Sequence, residues 1–216
     1  MFSSCGSLTC IDLSSFDTKK VNDMNYMFLY CKSLTSIDLS NFDTKKVNDM
    51  NEMFSYCESL TFIDLSSFDT KNVVGMNSMF RNCKSLTSLN ISNFNTEKVE
   101  NMYMMFSNCI SLISIELSNF DIKRVNNLSW MFSNCLSLIS IDLSNFVTKN
   151  VQNFDLMFYN CINLIFIDIS QFTSKEKEIS LFTELPNEGM IIVNSQFVNK
   201  IKDIPDNWKK IVLPLL

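Results

Sequence analysis

Seven cysteines, Cys5, Cys31, Cys57, Cys83, Cys109, Cys135 and Cys161, stand 26 residues apart, and a Met-Phe pair opens every unit, from Met1-Phe2 to Met157-Phe158. Only Cys10 lies outside this register. The second unit, MFLYCKSLTSIDLSNFDTKKVNDMNE from Met27 to Glu52, differs from the other six by substitution alone, and the seven units end at Phe182. Copies without insertion or deletion stack identically, so the period predicts one elongated domain whose core grows by addition.

Each unit contains the parts of a solenoid turn. Leu34, Ile37 and Leu39 alternate with outward Thr35, Ser36 and Asp38, which predicts a short strand with one buried face. Ser40 to Thr44 forms a corner around Phe42, and Val47 adds an inward side chain. Met50, Met53, Phe54 and Cys57 follow at i, i+3, i+4 and i+7, the spacing of one helix face, so a helix of about two turns is expected there. Neither a lone strand nor so short a helix is stable in water, and stacking supplies the missing partners. The expected fold is a repeat solenoid, leucine-rich-repeat-like, with one short parallel strand and one short helix per turn.

The pattern fades after Phe172, where Lys177 stands at the Val position and Ser180 at the Met position. Residues 1–182 are therefore read as the solenoid and residues 183–216 as a C-terminal α/β cap. In that cap Gly189 to Val193 forms a final strand, and Ser195 caps a helix carrying Phe197, Ile201 and Ile204 on one face. The chain begins inside the repeat register, so the first unit is expected to be completed by further sequence or by another molecule. This uncovered N-terminal end is a candidate for self-association.

Carried by M-F-x-x-C-x-S-L-x-x-I-D-L-S-x-F-D-T, residues 1 to about 174 resemble the BspA-like leucine-rich-repeat surface proteins, in particular their 26-residue-repeat branch of mycoplasma-type lipoproteins. The resemblance implies an exported, cell-surface or secreted protein engaged in adhesion or host interaction, with a protein or glycan ligand. Unpaired thiols and the lack of a visible signal peptide leave a cytoplasmic interaction module open, as is a binding arm of a larger enzyme. An odd set of in-register cysteines reads as a reduced, buried thiol ladder.

Residue inventory argues against catalysis. The chain has no histidine and only three scattered glycines, Gly6, Gly75 and Gly189, so His-based triads and phosphate-cradling loops are missing. No enzyme activity, cofactor or metal is expected. A formal charge of -5 gives no general attraction to nucleic acid, and no apolar run approaches the roughly 18 residues of a membrane span.

Binding is sought where copies diverge on the outside. The position after the row cysteine is Gly6, Lys32, Glu58 and Lys84, then Ile110, Leu136 and Ile162. Three residues on, Thr9, Thr35, Thr61 and Thr87 give way to Ile113, Ile139 and Ile165, with Phe166 adjoining and Phe62 as a separate apolar exception. Two polar rows thus become an apolar strip, the leading candidate for partner binding. The acidic row of Asp12, Asp38, Asp64, Glu116, Asp142 and Asp168, interrupted by Asn90, is the second candidate. Its like charges are expected to raise some of its pKa values. A lysine row, Lys19, Lys45, Lys71, Lys123, Lys149 and Lys175, broken by Glu97, reads as a solvated edge because no aromatic row is interleaved and acids lie nearby.

Overall fold

The computed structural model describes residues 1–214. The inward rows run the length of the molecule. Met, Phe, Cys, Leu, Ile, Leu, Phe, Thr, Val and Met of coil two (Met27, Phe28, Cys31, Leu34, Ile37, Leu39, Phe42, Thr44, Val47 and Met50) are all buried, and their equivalents in coils three to six follow with little exception. Eight phenylalanine rings, from Phe2 through Phe28 to Phe158 and Phe182, stack at 5.5–5.8 Å between centroids. The chain is thus a repeat solenoid built on short parallel strands, with one continuous core.

No α-helix forms in the coils, which corrects the expectation of one helix per turn. Met50, Met53, Phe54 and Cys57 are buried as their spacing requires, but the backbone reaches that burial by successive three-residue turns. Where coil one passes into coil two, Met27, Leu29 and Cys31 donate their N–H groups to the carbonyls of Met24, Tyr26 and Phe28 at 3.1–3.3 Å. The even-numbered residues, Met24, Tyr26, Phe28 and Tyr30, donate forward instead, one turn of the solenoid on, to Asp49, Asn51, Met53 and Ser55 at 2.9–3.0 Å. A helix would spend every N–H on its own axis and leave none for the neighbour.

Two of these four forward donors, Tyr26 and Tyr30, are left-handed. Among the described residues, all fourteen non-glycine residues with positive φ fall in two rows: Tyr26, Glu52, Ser78, Met104, Trp130 and Leu156, and Ser4, Tyr30, Tyr56, Asn82, Asn108, Asn134, Asn160 and Glu184. Such residues cost roughly 1–2 kcal/mol each for most side chains, and asparagine bears the conformation best. The inter-coil hydrogen bond offsets that strain.

Strands proper form only toward the C-terminal end. β1 (Ser140–Asp142), β3 (Phe166–Ile169), β5 (Met190–Asn194) and β6 (Lys209–Leu213) make a parallel sheet in that order, and β2 (Phe158–Tyr159) pairs with β4 (Phe182–Thr183). A second ladder of single parallel bridges links Asp23, Asp49, Gly75, Asn101, Asn127 and Asn153. There, Asp49 and Asn101 accept the N–H two residues on, whereas Asn77 N–H turns to Asn51 Oδ1 of the previous coil. Asn51 fills the space beside Gly75, where an added Cβ would lie 2.5 Å from its amide nitrogen.

Polar groups inside the stack are matched one coil to the next. Thr18, Thr44, Thr70 and Thr96 each place Oγ1 between the N–H and C=O of Asp43, Asp69, Asn95 and Asp121 in the following coil. Ile122 interrupts this row, and Val147 N–H bonds to Asn145 O instead. Asn41, Asn93, Asn119 and Asn145 donate to backbone carbonyls of the preceding coil. The cysteine row does the same with sulfur: Cys57 Sγ donates to Phe28 O at 3.3 Å and Cys161 Sγ to Phe132 O at 3.1 Å. All eight cysteines are free, and six are buried. Burial pushes the Cys109 and Cys161 thiols up to about 12.

The last residues continue the stack as a shorter turn. Leu181 and Phe182 take the Met-Phe rows 24 residues after Met157 and Phe158. Asn194 Nδ2 donates to Ser170 O and Phe172 O, extending the asparagine row. The expected cap helix is only a 3-10 turn, Val198–Lys200, and Asn194 Oδ1, rather than Ser195, receives the N–H groups of Gln196 and Phe197. Trp208 closes the phenylalanine ladder against Phe182 and donates Nε1–H to Pro186 O. An added Cβ at Gly189 would sit 2.6 Å from that indole, so only glycine admits it. In β6, Lys210 occupies the row held by Ile167 and Ile191, and such a charge on an edge strand discourages further stacking.

Candidate functional site

The strand rows carry the site because their outward side chains need not serve packing. The Thr/Ile row forms an inter-coil backbone ladder that tightens along the molecule. Thr61 N–H meets Thr35 O at 3.4 Å, Ile139 meets Ile113 O at 3.2 Å, Ile165 meets Ile139 O at 2.9 Å and Met190 meets Ile165 O at 2.8 Å. The apolar residues therefore sit on the most regular part of the sheet, just ahead of β1 and β3. Branched side chains suit such a pleated, half-exposed surface.

Ile113, Ile139, Ile162 and Ile165 remain 46–50% exposed, so the closing segment does not fold over them. Ile110, Leu136 and Phe166 are half-buried beside them. These seven residues form one strip across coils five to seven. Phe62, 62% exposed, stands apart from it.

The equivalent surface of coils two to four is charged. Glu58 lies between Lys32 and Lys84, with Nζ to carboxylate oxygen distances of 3.7 and 2.8 Å. The Lys84 ammonium holds the Glu58 carboxyl below its ordinary range. One outward position thus changes from an ion-pair ladder to an aliphatic ladder midway along the solenoid.

The acidic row borders the strip: Glu116, Asp142 and Asp168 lie three residues after Ile113, Ile139 and Ile165, and in β3 Phe166 and Asp168 share the outward face. Every acid of this row makes a turn. Asp12, Asp38, Asp64, Glu116, Asp142 and Asp168 each accept the N–H of the serine two residues on at 2.9 Å. These hydrogen bonds lower the pKa of Asp12, Asp38, Asp64 and Glu116, which corrects the expectation that charge repulsion would raise the row. Repulsion is present, Asp38 acting on Asp64, but it is the smaller effect because water screens exposed carboxylates.

One outward cluster escapes the reading of divergent rows. Tyr30 and Tyr56 pack at 4.5 Å, and the Arg81 guanidinium lies 5.3 Å from the Tyr56 ring. Its signal was the left-handed row, where tyrosine in coils two and three gives way to asparagine from coil four onward. At the first coil, Met1, Phe16, Val21, Met24 and Met27 line an apolar recess of about 160 Å³. Among the described residues no three His, Cys, Asp or Glu side chains converge as metal ligands would. No helix of the described residues is long and apolar enough to cross a membrane.

The family described as "Mycoplasma protein of unknown function, DUF285" matches residues 1–111 and again residues 87–184. The overlap of the two matches, residues 87–111, is about one coil long, as tandem units allow. No curated protein and no solved structure matches the chain. Together the two matches span all seven coils, and the chain belongs to the family of Mycoplasma proteins of unknown function DUF285.

Proposed function

We propose that this chain is a non-catalytic recognition scaffold of the BspA-like, leucine-rich-repeat kind, displayed at the cell surface or secreted, that binds a protein through the strip of coils five to seven. The observation behind this reading is the coincident replacement of two polar rows by exposed aliphatics at Ile110, Leu136 and Ile162 and at Ile113, Ile139 and Ile165. The exposed half of these aliphatics gains nothing from folding, whereas an apolar partner surface would bury it at roughly 25 cal/mol per Å². Glu116, Asp142 and Asp168 along one edge favour a partner with an apolar centre and a basic rim.

The test replaces Ile113, Ile139 and Ile165 with Thr, the residue that the first four coils carry in this row. Partners are captured on wild-type protein from host-surface extracts and identified, and their affinity is then measured against the variant. Loss of about tenfold or more with an unchanged melting temperature supports the strip, a tenfold loss being about 1.4 kcal/mol. Unchanged binding by a folded variant overturns it.

A second reading, an intracellular protein-interaction module, is favoured by one observation: Cys5 and Cys10 are exposed and free. Free exposed thiols are more at home in reducing compartments. Labelling intact cells with a membrane-impermeant thiol reagent separates the two readings, since only a surface protein is modified.

A further inference from the structure

The corner after each strand carries at least one lysine or arginine in every coil, and more than half of the chain's 18 basic residues lie along it, although the whole chain has a net charge of -5. Nearby acids do not cancel it evenly. Asp17, Asp43, Asp69 and Asp121 turn back to accept the N–H of Lys19, Lys45, Lys71 and Lys123 at 2.9–3.2 Å, and the side chains of Lys71 and Lys123 pair with Asp69 and Asp121.

In coils six and seven that acid is gone. Val147 and Thr173 take its place, and among the described residues Lys149 and Lys175 have no ion-pair partner. Between these two lysines opens a recess of about 190 Å³, lined also by Asn150, Ser174 and one carboxylate, Glu176, against the two ammonium groups. A neighbouring recess of about 250 Å³ is lined by Lys123 together with its ion-pair partner Asp121. The unpaired lysines of coils six and seven therefore face a concave place as well as carrying charge.

Coils follow one another at roughly the 4.8 Å spacing of paired strands. That is close to the length of a sugar residue in an extended polysaccharide, so a polysaccharide laid along the corner keeps step with the coils. Single-stranded nucleic acid would also need exposed aromatic platforms for its bases, and the corner aromatics of coils five to seven, Phe120, Phe146 and Phe172, are buried. We propose that the lysine corner of coils five to seven binds an anionic polysaccharide, with Lys149 and Lys175 holding one of its anionic groups at the recess between them. This site is independent of the apolar strip.

Four probes test it on the full chain: dextran sulfate, hyaluronate, neutral dextran and an oligothymidylate of matched charge, each by fluorescence anisotropy at several salt concentrations. Dextran sulfate or hyaluronate is expected to bind with affinity that falls steeply with salt, the tighter of the two naming the anionic group. Lys123→Glu, Lys149→Glu and Lys175→Glu together should weaken that binding at least about tenfold through lost counterion release. Reversing Lys202, Lys209 and Lys210 to Glu, the same change in net charge, should leave it within about twofold. The proposal is overturned if neither anionic polysaccharide binds, if neutral dextran binds as well, or if the oligothymidylate binds more tightly. Equal losses in the two triple variants, at equal melting temperatures, overturn it too.

Discussion

At the residue scale the fold rests on side chains that hydrogen-bond one coil away. Thr96 Oγ1 stands at 2.8 Å from Asp121 N and 2.9 Å from Asp121 O. Thr96→Val keeps the shape and strands both groups, so chemical denaturation should show a loss of about 1–3 kcal/mol. The same change at Ser36, which is exposed, should cost within about 0.5 kcal/mol. The thiol row gives a second check. Six cysteines are buried and donate to phenylalanine carbonyls, while Cys5 and Cys10 are exposed. A thiol reagent at mildly alkaline pH should therefore modify two of the eight cysteines in the native protein and all eight after unfolding. Rapid native modification of more than two would contradict the buried ladder.

At the element scale the inward rows were legible and the backbone path was not. Burial at i, i+3, i+4 and i+7 is common to a helix and to consecutive three-residue turns, so Met50, Met53, Phe54 and Cys57 could not distinguish them. Asn82, Asn108, Asn134 and Asn160 carried the distinguishing signal, because asparagine recurring once per unit marks a left-handed position. The apolar strip was legible because it is a departure from the repeat. The recess at Lys149 was not, since it depends on how Val151 and Ser174 meet across two coils.

The closing turn shows a further device at this scale. Asp203 accepts hydrogen bonds from Ser180 Oγ and from Leu181 and Phe182 N–H, in place of the carbonyls that another coil would offer. Asp203→Ala should cost at least about 1–3 kcal/mol, with Asn recovering part of it. Burial raises the Asp203 pKa, the three hydrogen bonds opposing it. A folded pKa above the unfolded one gives stability that is present below the ordinary carboxylate value and lost as pH rises through the folded value. Asp12, Asp38, Asp64 and Glu116 have lowered values, so their contribution is present above the ordinary carboxylate range and lost as pH falls through the folded value. Melting temperature against pH should thus drop in acid, and Asp203→Asn should steepen that drop by removing the opposing contribution. A shallower drop would contradict the assignment.

At the scale of the whole molecule the two ends and the two halves differ. The C-terminal edge is finished by Trp208, Asp203 and Lys210, whereas the first coil presents Met1 and a half-buried Phe2. The charged face of coils two to four becomes an aliphatic one in coils five to seven, on the part of the sheet with the shortest inter-coil hydrogen bonds. Both surfaces depend on a stack in which every coil donates to its neighbour, and that arrangement leaves no room for helices. Far-UV circular dichroism of the intact chain tests it most directly. Helix-free coils predict a spectrum without a helical component that is lost in one cooperative transition; a component equivalent to about two helical turns in each coil would contradict the alternating hydrogen-bond scheme.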